Sequence, residues 1–274
     1  MLTRSIPASM DDAIVRMIDS RLDDVRRSEG VAIPLAIESG SRAWGFPSPD
    51  SDYDRRFVFV RPSEHYLSPW QRRDVIETPL DGDLDVNGWE LGKAIRLLLK
   101  GNAVIVEWLR SPVAYGVDET FRTAFLELAE NVADRNLIAL HYLHLGLRQR
   151  NAYFSDRKAV ALKKIFYAVR PAAALRWLRR HPDAAIAPMR FQTLIEECDP
   201  PSDVRSVLAD LVERKSVTRE LGTAPLPASI ATFVDGEFEA ATAAFSKAPP
   251  AERRREIELA EQFFRRMVAH VWAS

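Results

Sequence analysis

The chain changes character at Pro112. Before it, short β-favouring runs alternate with Gly, Pro and Asp turns; beyond it, five segments carry apolar residues at helical spacing and no convincing strand follows. Those segments are 118–132, 137–149, 157–179, 203–220 and 252–271. Pro171 is expected to kink or divide the third, because it lacks an amide proton and crowds the preceding turn. Pro225, Pro227 and Pro249-Pro250 mark surface connections. No internal repeat or low-complexity tract interrupts this order. The pattern predicts an α+β chain, with strands and helices over 1–115 and an all-helical domain over 116–274.

Within the first part, Ser9-Met-Asp-Asp12 has capping-box spacing, and Ile14, Ile18, Leu22 and Val25 then share one helical face before Gly30. The apolar run Val31 to Ile37 suits a buried strand, with Pro34 pointing to an edge or a bulge. Phe57-Val-Phe-Val60 reads as a second strand, and 74–78 and 84–86 flank the turn signal Pro79-Leu-Asp-Gly82 as a hairpin. From Glu90 the period becomes helical: Leu91, Ile95 and Leu98 form one stripe, Lys93, Arg96 and Lys100 line another face, and Gly101 ends the helix. A short helix over 104–109 precedes Ser111-Pro112.

A chain of 274 residues with 47% apolar residues can bury about three quarters of its unfolded surface, enough for this plan. The single Cys198 excludes a disulfide framework and any multi-cysteine zinc site. Charges interrupt every apolar run well short of the roughly 18 residues a membrane helix needs, and the opening residues lack an export signal. A soluble, cytoplasmic protein is expected. The formal net charge of −1 conceals an asymmetry: residues 50–90 hold ten acids against five arginines, and 141–190 hold eleven Lys or Arg against two Asp. Acids holding metal beside a phosphate-attracting surface give this count, and so do solvated helix faces.

The densest chemistry lies in Glu38-Ser-Gly-Ser-Arg-Ala-Trp-Gly45 and Ser51-Asp-Tyr-Asp-Arg-Arg-Phe57. Gly40-Ser41 follows a strand, where small residues let backbone amides approach a phosphate. Asp52 and Asp54 alternate into the next strand, so period-two geometry turns both carboxylates to one side and Tyr53 to the other. Asp83 and Asp85 repeat the alternation on the hairpin, and either supplies a third carboxylate if the strands are neighbours. Hard Mg²⁺ binds through one or two carboxylates plus substrate phosphates, and a metal pair about 4 Å apart can stabilise both the attacking and leaving oxygens of an in-line displacement.

Gly40-Ser41-x-x-x-Gly45, Asp52-x-Asp54 and a later strand Asp together resemble the signature of the polymerase-beta-like nucleotidyltransferase superfamily. The stretches Asp85 to Asn102, Glu107-Trp-Leu-Arg-Ser-Pro112 and Tyr167-Ala-Val-Arg-Pro171 are similar to its bacterial and phage subfamily of RNA-repair-associated predicted nucleotidyltransferases. The resemblance spans residues 37–179. It implies a catalytic domain over 1–115 and a helical domain over 116–274 closing a nucleotide cleft. It further implies that Gly40 and Ser41 hold a triphosphate, that Asp52 and Asp54 bind two Mg²⁺ or Mn²⁺ ions, and that Asp85 completes the triad and helps deprotonate the acceptor, with Asp83 in reserve. Arg55 departs from the family, which commonly has an aliphatic residue or glycine there. Arg42, Lys93, Lys163 and Arg170 are candidate nucleotide contacts, with Arg96 and Lys100 further candidates for phosphate. Lys163, Tyr167 and Arg170 share a helix face that suits either a base-stacking ring between two cations or plain solvation.

Competing patterns fail on their own terms. Asp50-Ser-Asp-Tyr-Asp54 begins like a calcium loop, but Arg55 and Arg61 occupy the positions of the required Gly and Glu. Ser39-Gly-Ser41 lacks the Gly-x-Ser-x-Gly frame of a hydrolase. His141 and His144, three apart on a helix, have no third ligand nearby, and nothing activates Cys198. Trp89, Trp108 and Trp177 suit a core, and the arginines at 253–255 an exposed helical turn. The expected function is transfer of a nucleoside monophosphate from an NTP to a hydroxyl, on RNA or another acceptor, with release of pyrophosphate. The alternative is a non-catalytic nucleotide-sensing or regulatory module on the same scaffold.

Overall fold

The computed structural model describes residues 2–79, 82, 84–246 and 253–273. Strand β1 (Thr3–Ser5) leads into helix α1 (Asp12–Glu29), capped by the Asp11 carboxylate on the Ala13 amide and stopped at Gly30 in the left-handed region. Then follow β2 (Ala32–Glu38), the single-turn α2 (Gly40–Trp44), β3 (Tyr53–Val60), α3 (Ser63–Tyr66), β4 (Val75–Glu77) and β5 (Leu84–Glu90). Next come α4 (Leu91–Leu99), α5 (Ala103–Leu109), β6 (Ala114–Val117) and α6 (Glu119–Val132). The remainder is α7 (Arg135–Tyr153), β7 (Val160–Ala161), a 3-10 turn (Leu162–Lys164), α8 (Ile165–Arg180), α9 (Phe191–Cys198), α10 (Ser202–Val217), β8 (Thr223–Ala224), α11 (Ala228–Ala244) and α12 (Arg254–Ala273). No helix among the described residues is long and apolar enough to cross a membrane.

The main sheet runs β1-β6-β2-β3-β5-β4, antiparallel except for the parallel pair β3 and β5. Strand alternation splits β3 cleanly: Tyr53, Phe57 and Phe59 join a core under α1, whereas Val58 and Val60 join a second core under α4, α5 and α6. Asp54 and Arg56 therefore share the second face. Pro34 sits where the β2 register slips, in an interior strand, so the bulge and not the edge accounts for it.

The helical half contains strands that periodicity misses, because β6 is four residues long and β7 and β8 only two each. It also contains α9 and α11, which fall between the expected segments. Pro171 lies inside α8 without dividing it; Tyr167, whose carbonyl it cannot serve, is exposed. A boundary at 115 would cut β6. Helices α7 to α11 do form a core of their own, but α6 and α12 pack on the sheet side, with Phe121 and Phe125 against Phe263. Amphipathic spacing identifies a helix without naming the surface it covers.

Gly146 of α7 is closely packed in the helical core, where an added Cβ would overlap the Phe238 ring and crowd Pro171. Gly146→Ala should therefore lower stability by about 1–3 kcal/mol, even though alanine gains about 1 kcal/mol of helix propensity. Urea denaturation measures the sign, and a stabilised variant would show that α8 and α11 can give way.

Candidate active site

The end of β2 and the start of β3 are locked together before any ligand arrives. Glu38, fully buried, accepts the Asp54 amide proton at 2.7 Å and the Tyr115 hydroxyl, while the Ser39 amide donates to the Asp54 carbonyl at 2.7 Å. Burial pushes the Glu38 carboxyl up to about 7, opposed by the Tyr115 hydrogen bond and by the charge of Arg55. Arg55, buried and bonded to the Tyr53 carbonyl, thereby has a local role: its charge stands on the Glu38 side of the sheet.

Gly40 then meets Asp54 on the opposite face. It has φ +60°, and a Cβ there would overlap the Asp54 carboxylate, so glycine serves both the turn and the close approach. The Ser41, Ser48 and Ser51 hydroxyls form a chain at about 3 Å beside it. Arg42 stacks on the Tyr53 ring at 3.7 Å and donates to the Ser51 and Asp52 carbonyls, so it braces the loop carrying Asp52 and does not line the cavity.

These groups form one wall of a cavity of about 720 Å³, within the range of small-molecule sites. Gly40, Ser41, Asp52, Asp54 and Arg56 lie on that wall, and Lys163, Lys164, Tyr167, Arg170 and Lys215 come from the helical side. Lys163 reaches across to Asp50 at 2.8 Å. Lys215, missed in the sequence because it is one cation in an ordinary helical period, is buried, donates to the Phe46 carbonyl at 2.7 Å and lies 4.7 Å from that ring. Burial, and secondarily the charge of Lys163, bring its ammonium down to about 8.

The sequence candidates divide. Asp52, Asp54, Gly40, Ser41 and Lys163 converge on the cavity. Arg170 lines it too, but its guanidinium is spent at 2.7 Å on buried Glu107, which also accepts from Tyr142 at 2.9 Å, and its flat face covers Trp44. Lys93 pairs with Asp74 at 3.1 Å, away from the cavity. Asp85 is directly opposite Asp54 in the β3-β5 register yet bonds to Arg56 and Asn87 and does not line the cavity. Asp83 lies outside the described residues. His141 lines the cavity, and burial drives its proton affinity down. Burial pushes the Cys198 thiol up to about 12, which leaves it inert.

For a divalent ion, the fit is specific and limited. Burial raises the Asp54 carboxyl above the ordinary carboxylate range, Arg56 pulls it back, and Asp85 and Asp52 repel it further. A cation held by Asp52 and Asp54 relieves both the burial and the repulsion, and their oxygens suit Mg²⁺. Among the described residues, no three His, Cys, Asp or Glu side chains converge as a ligand set. A mixed sheet that presents Asp-x-Asp beside a Gly-Ser turn, closed by helices, defines a polymerase-beta-like protein. The model of RlaP, the RNA repair pathway DNA polymerase beta family, matches residues 14–266, and the chain belongs to that family. It is also 39% identical over 226 residues to the uncharacterised protein YcgL of Bacillus subtilis (strain 168), a match covering 82% of this chain and 85% of YcgL.

The Arg170 and Glu107 pair joins α8 to α5 in a dry setting, with 5% and 9% of each side chain exposed. Arg170→Met strands Glu107 and should cost about 3–5 kcal/mol in chemical denaturation. Adding Glu107→Gln should recover part of that loss; equal losses in the single and double variants would contradict the pairing.

Proposed function

We propose that the chain is a metal-dependent nucleotidyltransferase that moves a nucleoside monophosphate from an NTP to a hydroxyl, with an RNA end as acceptor. The observation that carries this reading is the cavity's division into a carboxylate wall at Asp52 and Asp54 and a cationic wall at Lys163 and Lys215. An NTP needs both: metal on its phosphates and fixed positive charge for the departing pyrophosphate.

Asp52 and Asp54 would hold the divalent ion, which when bound polarises the α-phosphate and offsets its growing charge. Ser41 and the backbone of the Gly40 turn orient the triphosphate. Lys163 exchanges its exposed pairing with Asp50 for phosphate oxygens, and Lys215, already desolvated, adds a charge at little further cost. The acceptor oxygen bonds to the α-phosphorus as the bond to the bridging oxygen breaks; pyrophosphate leaves, and the hydroxyl proton passes to water. Tyr167, exposed and 5.9 Å from the Tyr153 ring, offers a stacking surface for the base. Arg170 and Lys93 have no part in this scheme.

Asp52→Ala combined with Asp54→Ala should cut labelled-nucleotide incorporation into total RNA by at least about a thousandfold while keeping Tm, since metal polarisation supplies several kcal/mol. Undiminished incorporation would defeat the proposal. NTP-dependent stabilisation of the unaltered chain without any incorporation would instead identify a sensor.

The Lys215 ammonium predicts a pH signature. It carries its charge below about 8 and loses it above, so NTP affinity should fall as pH rises through that value. Lys215→Met should weaken binding about tenfold at pH 7 and flatten the profile. A fall of the same size in the variant would exclude Lys215 as its source.

A further inference from the structure

The resemblance gives a two-ion site a third carboxylate, and the one that the strand register places beside Asp54 is occupied. Asp85 is placed by the parallel register beside Asp54. One of its oxygens accepts Arg56 Nη2 at 2.7 Å, and the other accepts the Asn87 amide. The same Nη2 lies 3.2 Å from Asp54 Oδ1, so a single guanidinium stands between the two acids. Its Nη1 donates to the carbonyls of Arg55 at 2.9 Å and Asp85 at 3.1 Å. Four acceptors thus hold one side chain, of which only 19% is exposed.

Strand geometry makes the placement local. Arg56 is two residues beyond Asp54 on β3, so alternation points it to the cavity face, while Arg55 turns to Glu38. A guanidinium is charged at every relevant pH, and its planar fork satisfies two carboxylates at once. Moving it away would break four hydrogen bonds and leave two facing carboxylates uncompensated.

We propose that Arg56 is a built-in cation in the position of a second metal, so that the site binds one divalent ion, through Asp52 and Asp54, and Asp85 serves to fix Arg56. Charge supports this count. Asp52, Asp54 and Asp85 contribute three negative charges, which Arg56 and one divalent ion match; a second divalent ion would lie against the guanidinium. The inference rests on the nucleotidyltransferase reading of the cavity and deepens it: Asp85 is a positioning residue whose oxygens are unavailable to an acceptor proton.

The test is the number of Mn²⁺ ions bound per chain, read from the free-ion electron paramagnetic resonance signal, with the whole protein saturated by a non-hydrolysable NTP analogue. One ion supports the proposal. Two ions overturn it and leave the nucleotidyltransferase reading intact; none overturns that reading and the proposal with it. Two variants read the assignments separately. Asp85→Asn should change the Mn²⁺ Kd less than about twofold, whereas Asp54→Asn should raise it more than about tenfold. A comparable loss in Asp85→Asn would make Asp85 a ligand and overturn the proposal. Arg56→Met should admit a second ion, and a folded variant that still binds one would show that Arg56 is not what excludes it.

Discussion

A carboxylate sealed inside the sheet holds the whole arrangement in register. Glu38 closes β2 and takes the peptide proton of Asp54, and the next residue, Ser39, returns a hydrogen bond to the Asp54 carbonyl. This reciprocal grip brings Gly40 against the Asp54 carboxylate and starts α2 at a fixed point. Burying an acid is costly, as the upward displacement of Glu38 to about 7 records. Tyr115, Arg55 and the Asp54 amide limit that cost, so conformational precision is obtained on the dry face while Asp54 works on the wet one.

The two halves of the molecule meet through polar contacts of contrasting strength. Arg170, Glu107 and Tyr142 form a dry junction between α8, α5 and α7, where loss of one member strands another. Lys163 and Asp50 form a wetter one at the cavity mouth, whose net contribution to stability is small. The first fixes how the walls face each other. The second can yield to a ligand without endangering the fold, so under the proposed function its positive charge stays available to the triphosphate.

Much of this was legible in the sequence because it depends on local rules. Strand alternation put Asp54 opposite Tyr53 in facing, small residues at Gly40-Ser41 marked a close backbone approach after β2, and the change to helical period marked the start of α4 at Glu90. What was not legible depends on partners distant in the chain. Lys93 belongs to Asp74 and Arg170 to Glu107, and neither pairing leaves a trace in spacing along one helix. Arg42 looked like a phosphate ligand but lies on Tyr53. Lys215 acquired its significance only when α10 carried it to Phe46, 169 positions away. Arg56 was visible as a residue, but its meaning required the β3-β5 register.

The course of α12 has a consequence for synthesis. It covers α6 and α4, ties His270 to Asp118 and sets the Trp272 indole on the Arg61 carbonyl. A nascent chain emerging from the ribosome therefore carries the complete sheet long before it carries the helix that shields Phe121 and Phe125. Until α12 has been made, that apolar flank stays open to chaperones or to sticking, so the sheet side is sealed only after the α7 to α11 core it precedes in the chain.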